Sequence, residues 1–138
     1  MKKSFVPFGI ANKLKEKKFD EPCVCFYKDD EILKAVDQHW GCSISGICKH
    51  HGYKIDDLVL APIYQQVIDW LREKHNIHII EQLDMTCDPK YCYEIYKYEY
   101  FGNWTLVSKR PDMFLYLDPI KNLNAAIEEA LELIENKE

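Results

Sequence analysis

Three β-prone runs, 77–83, 91–100 and 104–110, follow one another between two amphipathic helical segments, and this order constrains the fold more than any other feature of the chain. The runs are joined by the connection "DMTCDPK" and the hairpin signal "FGN", so they are expected to form an antiparallel meander. The helix before them reads "PIYQQVIDWLREKH" over 62–75. Pro62 suits a first turn, and Ile63, Val67, Trp70 and Leu71 fall on one face, with Gln65, Gln66, Asp69, Arg72 and Glu73 largely elsewhere. Asn76 fits a left-handed C-terminal cap. The helix after them opens with Asp118 as N-cap and Pro119 in the first turn, and Ile120, Leu123, Ile127, Leu131 and Ile134 form its apolar stripe.

Upstream, Pro7 with Phe8, Ala11, Leu14 and Lys15 at spacings of three and four predicts a short amphipathic helix over 6–18 whose lysines face water. "CVCFYK" is a β-prone run and "DD" a turn; "EILKAV" either returns as the hairpin partner, the preferred reading, or begins a helix. Together these elements predict an α+β fold, a mainly antiparallel sheet of three to five strands with three helices packed on one face. At 138 residues the chain is expected to be a single domain, 1–138, interrupted by a Cys/His-rich loop at about 37–57.

Hydrophobic and charged contents of 47% and 30% are those of a soluble globular protein. The start, "MKKSFVPFGIANKLKEKK", lacks the apolar core of a signal peptide, and no run is long enough to cross a bilayer. Without a secretory signal the six cysteines are expected to be reduced thiols in a cytoplasm. A net charge of −5 disfavours nucleic acid. Charge is segregated: residues 1–18 carry six lysines against Glu16, and residues 125–138 five glutamates against Lys137. Two solvated helix faces of opposite sign explain this; a phosphate-binding basic helix is the alternative.

The stretch "DQHWGCSISGICKHHGYKIDD" over 37–57 gathers thiols, imidazoles and glycines. His39, Cys42, Cys48 and His51, or His50 in place of His51, supply the ligand types that zinc takes tetrahedrally. The spacing argues against it, because Cys42 and Cys48 are separated by five residues where zinc knuckles hold pairs two to four apart. The expectation is no cofactor and a glycine-articulated surface loop, with zinc as the alternative. Cys23 and Cys25 alternate with Val24 and Phe26, as small buried hydrophobes on one strand face do. No phosphate-binding loop, dinucleotide fingerprint, zinc-protease or nucleophile-elbow motif is present, so no catalytic residue is assigned. Tyr91, Tyr93, Tyr96, Tyr98 and Tyr100 suggest a base-stacking platform, but Glu94 and Glu99 against Lys97 favour sheet packing or a protein interface.

At "FVPFGIANKLKEKKFDEPC", "LAPIYQQVIDWLREKHNIHI" and "AAIEEALELI" the chain resembles a family of small uncharacterised proteins of phages and mobile elements of gut bacteria. The most specific element is Tyr64-Gln65-Gln66 running into Trp70-Leu71-Arg72-Glu73-Lys74. The resemblance implies context, a phage accessory protein in a bacterial cytoplasm. It transfers no activity and no metal site, and residues 37–57 look like an insertion relative to it. The functional expectation is a small non-enzymatic binding protein that contacts a host or phage protein, or its own copy as a homodimer, and no membrane. A zinc-binding or metal-dependent module at residues 39–51 is the second reading and a weak nucleic-acid binder the third.

Overall fold

A computed structural model describes residues 5–34, 43–84, 90–99, 103–109 and 118–134. The chain divides into two compact units, Met1–Val67 and Ile68–Glu138. The α+β class and the antiparallel pairing are as expected, but the described strands form two three-stranded sheets rather than one.

The first unit begins with α1, Phe8–Glu16, whose Ile10, Ala11 and Leu14 are buried at helical spacing. Strands β1, Cys25–Lys28, and β2, Glu31–Lys34, pair antiparallel around Asp29 and Asp30. Both turn residues have positive φ, 52° and 61°, the pair of left-handed conformations that a two-residue hairpin needs to match strand twist. Strand β3, Leu58–Ala61, pairs antiparallel with the other side of β1, giving the order β2-β1-β3.

All four residues of β3 are buried, so that strand is covered on both faces and reads as a continuous apolar run, whereas β2 carries exposed Glu31 and Lys34. On one face α1 packs against β3, and the Tyr27 hydroxyl donates to the Val6 carbonyl at 2.6 Å. On the other, Phe26 meets Tyr53 at 6.2 Å between ring centroids.

Residues 44–51, expected to be loop, form helix α2, Ile44–His51, and a 3₁₀ turn follows at Ile55–Asp57. Ser43 Oγ accepts from the Gly46 N–H at 3.2 Å, and Gly52 ends the helix at φ 73°. Ile47 is fully buried, and α2 contacts β3.

Helix α3, Tyr64–His75, spans the boundary between the units. It starts two residues later than Pro62 suggested, because Gln66 Oε1 reaches back to accept from the Ile63 N–H at 3.2 Å, one half of a capping box. Ile63 therefore precedes the helix and is 38% exposed, a correction to its place on the apolar face. Val67, Trp70 and Leu71 are buried as expected, and Asn76 follows at φ 55°.

In the second unit β4, Ile77–Asp84, β5, Lys90–Glu99, and β6, Asn103–Lys109, form the antiparallel meander β4-β5-β6. Between Ile95 and Tyr96 the β5–β6 register shifts, leaving Val107 as an extra residue on β6. Helix α4, Pro119–Glu132, starts where Asp118 Oδ1 accepts from the Ile120 N–H at 2.9 Å. It packs on β5 and β4 through buried Ala126, Ile127, Ala130 and Leu131, over Ile77, Ile79, Tyr93 and Ile95. Three hydrogen bonds fix its seating: Asn122 Nδ2 donates to Glu81 Oε2 at 3.2 Å and to the Cys92 carbonyl at 3.1 Å, and the Tyr93 hydroxyl donates to the Glu129 carboxylate.

Candidate functional site

Of the zinc candidates, His39 and Cys42 lie outside the described residues. Cys48 and His51 stand one turn apart on α2, with Cys48 half-buried. Tyr100 also lies outside. Among the described residues no group of three or more His, Cys, Asp or Glu is placed to hold a metal ion.

Cys23 and Cys25 are buried, as expected of small hydrophobes. Burial pushes the Cys23 thiol up to about 12, with the neighbouring Cys25, Glu21 and Asp20 acting in the same direction. Burial also raises Cys25, against the lowering influence of Lys34. Neither is the low-pKa thiolate that nucleophilic chemistry needs.

The lysines of α1 do not all face water. Lys15 Nζ donates to the carbonyls of Leu58 at 2.6 Å and Ile55 at 3.0 Å. Ile55 opens the 3₁₀ turn and Leu58 follows it, so the lysine ties the two ends of that turn together.

Two surfaces have the character of a binding site. The first is the face of the β4-β5-β6 sheet opposite α4. Directly paired residues share a face, so His78, Tyr96 and Leu106 form one row across the three strands, flanked by Ile80 on β4 and Tyr98 on β5. Ile80, Tyr98 and Leu106 are 38%, 40% and 47% exposed. The Tyr96 hydroxyl donates to the Glu94 carboxylate beside it, and this bond raises the Tyr96 pKa. A solvated antiparallel face normally carries polar residues at these positions.

The second surface is a cavity of about 610 Å³ lined by Pro7, Phe8, Tyr27, Ile32 and the turn residues Asp29, Asp30 and Glu31. The Phe8 ring stands edge-on to Tyr27, 5.5 Å between centroids at 75°. In the sequence "DD" signalled only a turn.

Compared with protein-family models, with curated proteins and with solved structures, the chain finds no match. Among the described residues no helix is long and apolar enough to cross a membrane.

Proposed function

We propose that this chain is a small non-enzymatic binding protein that engages a protein partner through the open face of the β4-β5-β6 sheet. The observation that carries the reading is the clustering of Ile80, Tyr98 and Leu106 on one face of three adjacent strands. A single exposed apolar side chain is ordinary; a contiguous set with tyrosines among it has the composition of an interface centre. Tyrosine suits this use, since it offers large contact area with few torsions to immobilise.

The resemblance of the α1, α3 and α4 segments supports an accessory protein of phage or mobile-element origin, working in a bacterial cytoplasm on a host or phage protein. The test compares wild type with a Tyr98→Lys/Leu106→Lys variant as baits in host-cell lysate, with circular dichroism as the check on folding. Partners retained by wild type and lost from the variant support the reading. Identical partner sets, or a wild type that retains none, contradict it.

A further inference from the structure

We infer that the cavity between α1 and the β1–β2 hairpin is a second binding site, which takes an arginine or lysine side chain from an extended segment of a partner protein. Three features of the first unit lead there. Tyr27 and Ile32 are directly paired and so share the face on which Phe8 stands against Tyr27, giving the cavity an aromatic and aliphatic floor and wall. Phe8 is 36% exposed, so part of its ring is open to a ligand. A cation over an aromatic face is attracted by the ring quadrupole, and the aliphatic stem of Arg or Lys packs on the rest.

Charge selects the sign of the occupant. Asp29, Asp30 and Glu31 all line the cavity, and of the three only Asp29 is paired, with Lys28 Nζ at 3.3 Å. Glu31 is directly paired with Lys28 and so belongs to the sheet face opposite Tyr27 and Ile32, which leaves Asp30, in no ion pair among the described residues, as the carboxylate available for a charge-assisted hydrogen bond.

The sheet order selects a peptide over a free amine. β2 is an edge strand that pairs with β1 alone among the described residues, and its Glu31 and Ile32 line the cavity. An extended segment laid against that edge gains backbone hydrogen bonds while one side chain enters the cavity, the division of labour of strand addition.

This site goes beyond the sheet-face reading. It lies in the other unit, so the failure of either leaves the other standing. The test is an amide NMR titration of the full chain with the end-blocked peptide TVRVT, and with TVEVT as the charge-reversed control. TVRVT is expected to shift the amides of Phe8, Tyr27, Glu31 and Ile32 in a saturable, millimolar-range titration, and TVEVT to leave them in place.

Asp30→Asn keeps side-chain shape, and asparagine tolerates the positive φ at position 30. This variant should bind TVRVT about five-fold more weakly or less, the loss that a surface charge pair carries. An unchanged spectrum with TVRVT, equal shifts with TVEVT, or undiminished binding by the correctly folded variant overturns the proposal. So does spermidine binding at these amides as tightly as TVRVT, which would make the ligand a free amine.

Discussion

Lys15 Nζ lies 2.6 Å from the Leu58 carbonyl oxygen, so a lysine from the most basic stretch of the chain closes the 3₁₀ turn that leads into β3. Lys15→Met keeps the aliphatic stem and removes the charge. It is expected to destabilise the protein by about 1–2 kcal/mol, toward the lower end for hydrogen bonds to a charged group because the site is partly solvated. Lys49→Met, at an exposed position of α2, should stay within about 0.5 kcal/mol. Urea denaturation of the two variants checks the contrast; equal midpoints would remove Lys15 from the structural role.

Trp70 is 5% exposed, and its ring meets His75 edge-on at 4.5 Å between centroids. Trp70→Ala should cost about 3–5 kcal/mol, the range for truncating a large buried aromatic. Thermal unfolding measures it, and an unchanged midpoint would mean that the indole contributes nothing to packing.

The Cys23 thiol gives the pH dependence a definite sign. Its folded pKa of about 12 lies above the ordinary 9.0, so the folded state holds this proton more tightly than the unfolded state. Its contribution is complete below pH 9 and is lost as pH rises from there toward 12, since in that window the unfolded chain binds fewer protons. Cys23→Ala should flatten the alkaline fall in urea midpoint between pH 8 and pH 10, while retaining whatever other groups contribute. A wild-type curve with no greater slope than the variant's would contradict this.

The second half of the chain was legible because its signals are local and periodic. The meander, the Asp118-Pro119 helix start, Asn76 as a cap and the buried Val67, Trp70 and Leu71 were all recoverable from spacing. The β1–β2 hairpin was also legible, but the "DD" turn alone did not reveal two left-handed residues. Helix α2 was missed although Ser43 and Gly52 bracket it and Ile44, Ile47, Cys48 and His51 recur at helical spacing.

The second sheet and the burial of both faces of β3 were not legible, since they depend on β1 pairing with β3 across about thirty intervening residues. Lys15 was misread for the same reason: its partners are forty or more positions away. Of the proposed site, the tyrosine strand flagged an interface. Only the register shows that Leu106 lies beside Tyr96 and that Ile80 shares their face.

The central claim is that a protein partner covers this sheet face, and site-specific photo-crosslinking in bacterial cells that express the protein tests it most directly. With a benzophenone amino acid at Leu106 or at Tyr98, irradiation should give the same discrete adduct, and at the exposed Glu73 of α3 it should give none. Adducts at Glu73 as abundant as those at Leu106, or none at either sheet position in a folded protein, would contradict the account.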